Sequence, residues 1–187
     1  MSCPLEGNSI SATTRMCSVS KLTVLRLLGD VRSLCRDYHD LMVQNLTCRL
    51  IQCDEIWSFV GCKQRNKELG KMGDGDCWTW VALDANTKLV VSYLVGLRDS
   101  CHAFEFVHDS ASRIEKRIQL TTDGLRLYVE AVQDAFGGDI DYAMLVKLYG
   151  KNRDKAGEAR YSPAKCIGCK PLVLSDDPNL IVLVQAS

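Results

Sequence analysis

This chain lacks any apolar run approaching the roughly 18 to 20 residues that a membrane-crossing helix requires. It also lacks charge of one sign. Lys and Arg together number 23, Asp and Glu together number 23, and the formal net charge is +0, so attraction to a polyanion has to come from local patches. A phosphate-cradling GxxxxGK[ST] run and a GxSxG elbow are both missing, which argues against nucleotide hydrolases and serine esterases. No secretory signal precedes the 10 cysteines, which are scattered from Cys3 to Cys169, so free thiols are expected in place of a disulfide framework. Several, such as Cys53 and Cys77, stand in apolar contexts where a thiol packs as a small hydrophobe. The expectation is a soluble, cytoplasmic protein with no membrane partner.

What is present is enough apolar residue to build a core. With 187 residues and 47% hydrophobic content, the chain suits one domain plus a small appendage. Residues 1–48 read as helical. In the run from Lys21 onward, Val24, Leu27, Leu28, Val31, Leu34 and Cys35 recur near a 3.6-residue period, with Ser20 as N-cap. The preceding SISATTRM and CSVS give a helix, tight turn, helix rhythm. As a helix-turn-helix this would set Ser20, Lys21, Thr23 and Arg26 at the end of the second helix that meets DNA; a helical hairpin packed on the main domain is the plainer alternative.

Residues 49–187 change period. LIQCDEIWSFVG, CWTWVALDA and KLVVSYLVG predict three consecutive strands, with DANTK as the turn between the second and third. The charged, glycine-rich KQRNKELGKMGDGD predicts an exposed loop whose Lys63, Arg65, Lys67 and Lys71 are either ordinary solvated surface or phosphate contacts. DSCHAFEFVHDSASRIEKR predicts a crossover helix with Phe104, Val107, Ala111 and Ile114 on one face. It leads to a fourth strand, RIQLTTDG, parallel to the first, and to a helix lined by Leu127, Val129, Val132 and Phe136 that Gly137 and Gly138 end. This β-β-β-α-β-α order is the first half of a ribonuclease H-like α/β fold, a mixed sheet of three antiparallel strands plus parallel strands. It brings Asp54, inside the first strand, beside Asp123, at the end of the fourth. Two carboxylates so placed can hold Mg²⁺ or Mn²⁺, although Asp123 can also serve as a helix cap.

Other constellations are weaker. Cys166 and Cys169 form a CxxC, but a four-ligand zinc site needs a second pair, so a structural turn is expected, with His102 or His108 the partners if zinc binds. Trp57, Trp78 and Trp80 could stack on bases, yet their place in strands favours core packing.

At CDEIWSF, WTWVALDANTKLV, LVGLRDS, IQLTTDG, FGGDIDYAMLVKLYG and RYSPAKCIGC, in that order, the chain resembles the DDE transposases of bacterial insertion sequences, in the branch of insertion sequence one. The resemblance runs from about Glu6 to Cys169. It implies a ribonuclease H-like core behind a helix-turn-helix, with Asp54 and Asp123 as the first two catalytic, metal-binding acids. EGNSISATTRMCSVSKLTVLRLL matches the family's DNA-binding segment. The implied partners are double-stranded DNA, at transposon ends and at the target, and a homo-oligomer or an intact transposase; the implied cofactor is Mg²⁺ or Mn²⁺.

One element of that family pattern is not matched. Its third acid, a glutamate on a later helix beyond the CxGC segment, has no counterpart in SDDPNLIVLVQAS. The resemblance therefore implies a core incomplete at its C-terminus, and so a truncated or inactive transposase. The alternative is a catalytically dead DNA-binding remnant that inhibits or partners an intact one. Glu158, in GEARY, stands at a spacing seen in other DDE enzymes, but its charge-rich surroundings read as an exposed connector; Asp176 and Asp177 are no better placed.

Overall fold

Two serines start the helices of the N-terminal unit, which spans Met1–Gln44. The structure, a computed structural model, describes residues 7–68, 72–150, 166–175 and 178. Ser9 caps α1 (Ile10–Cys17) by accepting from the Ala12 N–H at 3.1 Å, and Ser20 caps α2 (Lys21–Met42) by accepting from the Thr23 N–H at 3.0 Å. Each oxygen satisfies an amide that the first helical turn leaves unpaired. Ser18 ends α1 in the left-handed region at φ 53°. The two helices pack together with Thr13 and Val24 buried. The expected apolar face of α2 is only partly covered: Leu28 and Val31 are half-buried, whereas Leu34 is 69% exposed.

The second unit, Asn45–Ser187, is an α/β arrangement built on a six-stranded mixed sheet. Its strands are β1 (Leu50–Val60), β2 (Gly75–Asp84), β3 (Val90–Gly96), β4 (Gln119–Asp123), β5 (Asp141–Tyr149) and β6 (Cys166–Ser175), in the spatial order β3-β2-β1-β4-β5-β6. β1, β2 and β3 form an antiparallel meander; β4 pairs in parallel with both β1 and β5, and β6 returns antiparallel to β5. The expected turn closes β2 onto β3. There the Asp84 carboxylate accepts from the Thr87 N–H at 3.1 Å, and Lys88 sits at φ 63°.

Two helices follow the strands they connect: α3 (Ser100–Ser112) before β4 and α4 (Leu127–Phe136) after it. Alternate residues of the central strands, Ile51 and Cys53 on β1, Trp80 and Ala82 on β2, Leu120 on β4, form one core with Ala103, Phe106 and Val107 of α3 and with Tyr128, Ala131 and Val132 of α4. Side chains of this size contribute about 1.5–3 kcal/mol each when fully buried. Trp80 lies edge-on to Tyr128 with ring centroids 5.6 Å apart, and 5.9 Å from Phe106. The buried stripe of α3 centres on Ala103, Phe106, Val107 and Ser110; Phe104, Ala111 and Ile114, expected on it, flank it half-buried. On α4, Val129 likewise turns out exposed and Tyr128 in. Gly137 ends α4 at φ 59°, as its lack of a side chain permits.

Two further expectations change. The CxxC is not a turn: Cys166 and Cys169 lie within β6, where an extended backbone holds residues three apart away from one another. Among the three tryptophans, Trp80 is fully buried, but Trp57 is 41% exposed on the part of β1 beyond its pairing with β4. The nine described cysteines are all free thiols. Among the described residues, no helix is long and apolar enough to cross a membrane. Cys3, Lys71, Glu158, Asp176 and Asp177 lie outside the described residues.

Candidate metal centre

Strand alternation decides which side of the sheet each acid leaves from. Ile51 and Cys53 are buried against the helices, so Gln52 and Asp54 face the opposite side. Leu50 to Cys53 pair in register with Gln119 to Thr122, which sets Asp123 on the same side as Asp54 and one step beyond the last paired residue. The parallel pairing expected from the sequence therefore does bring Asp54 and Asp123 together. Their carboxylates border an open groove of ≈ 680 Å³, along with Arg98, Arg126 and Lys147.

A third acid joins them. Asp54, Glu55 and Asp123 each offer a carboxylate oxygen within 4.8 Å of the others. Asp54 Oδ1 accepts from the Glu55 N–H at 2.9 Å, and Asp123 Oδ1 accepts from the Leu125 N–H at 2.9 Å; in each acid a backbone amide steadies one oxygen. Asp123 thus braces the turn after β4, and Arg126, not Asp123, holds the N-cap position of α4.

Glu55 leaves β1 on the helix side, with only 1% of its side chain exposed. Arg98 donates to its Oε2 from Nε at 3.2 Å and from a terminal nitrogen at 2.9 Å. The same terminal nitrogen stands 3.6 Å from Asp123 Oδ2, and the guanidinium lies 4.7 Å from the centroid of the Trp78 ring. The chain around Arg98 is pinned on both sides. Trp80 Nε1 donates to the Leu97 carbonyl at 3.1 Å, and Asp99 caps α3. Among the described residues, Glu55 Oε1 and the Tyr128 hydroxyl make no close hydrogen bond to any third group, and the two side chains interact with each other.

Burial raises the Glu55 carboxyl above the usual range; Tyr128 pulls it down, the neighbouring Asp123 charge raises it further, and Arg98 lowers it. Burial likewise drives the Tyr128 hydroxyl far up, with the charges of Cys53 and Glu55 acting in the same direction. The Cys53 thiol is pushed well above its ordinary value by burial and by Glu55 and Asp54, so it stays protonated and packs as an apolar group.

The donor set is all carboxylate oxygen, the hard chemistry that suits Mg²⁺ or Mn²⁺. The residues present fit such an ion. Among the described residues, no other group of three His, Cys, Asp or Glu side chains is close enough to hold one, which leaves Cys169 without His102 or His108 as co-ligands.

Sequence reasoning missed Glu55 and Arg98. The signal for Glu55 was two adjacent acids inside a strand of apolar and aromatic residues; only one of them can face solvent. Ser20, Lys21, Thr23 and Arg26 are exposed around the start of α2, in the other unit. There the Ser20 and Thr23 hydroxyls lie 2.8 Å apart and bond to each other. No family model matches the chain, and no curated protein matches it.

Proposed function

We propose that this chain is a metal-dependent polynucleotidyl transferase that acts on DNA, a transposase with a ribonuclease H-like core. The observation that carries this reading is the convergence of Asp54 and Asp123 from neighbouring parallel strands into one carboxylate cluster. The strand order, an antiparallel meander followed by parallel strands joined through helices, agrees with it.

Asp54 and Asp123 would hold Mg²⁺ or Mn²⁺. Bound ions of this kind activate a nucleophile and stabilise the leaving oxygen of a phosphodiester. The rest of the groove supplies the charge to receive a polyanion. Arg98, Arg126 and Lys147 border it, so a phosphate backbone can lie along the cations while its scissile group meets the acids. The α1–α2 pair, read as a helix-turn-helix, would grip duplex DNA through Ser20, Lys21, Thr23 and Arg26; Lys21 and Arg26 offer charge, and Ser20 and Thr23 fix the helix end that presents it.

One observation favours a second reading, DNA binding without strand transfer. Arg98 already neutralises Glu55 and approaches Asp123, so the cluster is partly charge-compensated with no ion. Nicking and joining of supercoiled DNA in Mg²⁺ or Mn²⁺ separates the two. Activity that disappears in both Asp54→Asn and Asp123→Asn supports the transferase; duplex binding with no nicking by wild type supports the second reading. Nicking that survives both substitutions removes these acids from the chemistry.

A further inference from the structure

We infer that Glu55 is the third carboxylate of the metal centre and that Arg98 is the resident cation it gives up when the ion enters. The inference rests on the reading of Asp54 and Asp123 as metal ligands and adds to it a ligand and an exchange.

Neighbours on a strand leave from opposite faces, so in the middle of a sheet Asp54 and Glu55 could not serve one ion. Here the sheet ends beside them. β1 pairs with β4 only through Cys53, β4 stops at Asp123, and β1 continues to Val60 paired with β2 alone. From Asp54 onward the β4 side of β1 is therefore an open edge. Two carboxylates that start on opposite faces can meet around that edge, and the 4.8 Å spread of the three oxygens shows that they do.

The second observation is the cation already in place. Glu55 is 1% exposed, its Oε2 takes both bonds from Arg98, and the same terminal nitrogen of Arg98 stands 3.6 Å from Asp123 Oδ2. Carboxylates brought together out of water need a positive charge between them, and Arg98 shows where it sits. A divalent cation shared with Asp54 and Asp123 can take that place.

Arg98 is placed to yield. Its backbone is held between Leu97, bonded to Trp80, and the capping Asp99, so the exchange needs only a side-chain rotation. The guanidinium rests on the Trp78 ring, so its turn away from Glu55 changes the surroundings of that ring. With 35% of its side chain exposed and the groove beside it, the freed guanidinium would turn to a phosphate oxygen of the bound strand.

Mn²⁺ titration followed by electron paramagnetic resonance tests the assignment, with the waters on the bound ion counted by electron–nuclear double resonance. Glu55→Gln is expected to weaken Mn²⁺ binding at least about ten-fold, the lower end of what loss of even an outer partner costs, and to add one water to the ion. Because Glu55→Gln strands a guanidinium, the Glu55→Gln/Arg98→Gln double variant is compared with Arg98→Gln alone, and the same weakening and extra water are expected there. Mn²⁺ should also shift tryptophan emission in wild type but not in Arg98→Gln or Trp78→Phe. An unchanged water count in Glu55→Gln, while Asp54→Asn and Asp123→Asn still lose the ion, overturns the third ligand and leaves the two-aspartate centre standing. Mn²⁺ binding unaltered in those two aspartate variants, or no saturable binding by wild type, overturns both.

Discussion

Glu55 and Arg98 form an ion pair of unequal partners: the carboxylate is 1% exposed, whereas the guanidinium that holds it is 35% exposed and also reaches to within 3.6 Å of Asp123. The acid therefore depends on the base for its counter-charge, while the base has other places to go.

That asymmetry predicts unequal damage on mutation. Arg98→Ala leaves a buried carboxylate without its counter-charge. A fully buried pair broken this way loses about 3–5 kcal/mol, and the partial exposure of Arg98 reduces the expected loss to about 1–3 kcal/mol. Added Mn²⁺ should recover part of it, since the ion replaces the missing cation. Urea unfolding with and without Mn²⁺ reads both quantities; a variant as stable as wild type in chelator would show that the pair contributes nothing.

Trp80 links the core to the site. Its ring is fully buried among α3 and α4 residues, and its Nε1 fixes Leu97, the residue before Arg98. Trp80→Phe keeps an aromatic ring but leaves a void and an unpaired carbonyl, which together should cost about 2–4 kcal/mol. Because the anchor of Arg98 loosens, metal affinity should change as well as stability. A Phe106→Leu variant, matched for stability loss, should leave metal affinity as in wild type. Equal effects of the two on the metal would mean that Trp80 acts only through global stability.

Asp99 gives a pH signature. Its carboxyl is held below the usual range, chiefly by the His102 N–H and then by the His102 side chain. An acid with a lowered folded pKa binds its proton more weakly when folded. Its stabilisation is therefore complete well above 3.8, the ordinary value, and is lost as the pH falls through the lower folded pKa. Thermal unfolding of wild type and Asp99→Ala should differ clearly at pH 5, roughly a unit above the ordinary carboxylate value, and the gap should narrow on acidification from there. A gap that is the same at pH 2 and pH 6, values chosen about two units either side of that ordinary carboxylate, would remove the charge from the cap's contribution.

The parts of this fold that could be read from the residues are those in which local chemistry and tertiary environment agree. β1, β2 and β3 carry strand-forming residues, and Asp84 closes their turn with its own side chain. The register that joins Asp54 to Asp123 follows from the crossover through α3. β5 and β6 were not predicted as strands, although Ala143 to Leu145 form a short buried apolar run of the kind a central strand shows. The CxxC was misread because its spacing suggests a turn, and nothing local reveals that Cys166 to Ser175 are recruited as a sheet edge by β5. Glu55 was passed over for a different reason. Alternation assigns it to the face away from Asp54, and only the early end of β4, a long-range property of the sheet, lets the two meet.

DNA binding by α2 is separable from the metal centre in principle, because the residues proposed for it share no bond with the acids. Ser20 caps α2 and shares a hydrogen bond with Thr23, so Ser20→Ala should cost about 1 kcal/mol of helix stability and only indirectly weaken DNA binding. Lys21 and Arg26 are exposed and lie in the first two turns of the helix. If they contact phosphates, the double Ala variant should lower duplex affinity across all sequences and reduce the slope of log K against log salt by about two, close to one per lost contact. Mn²⁺ binding to the same variant should match wild type. A slope unchanged by the double substitution, with affinity also unchanged, would mean that α2 is a packing element and that any DNA contact comes from the groove cations Arg98, Arg126 and Lys147 instead.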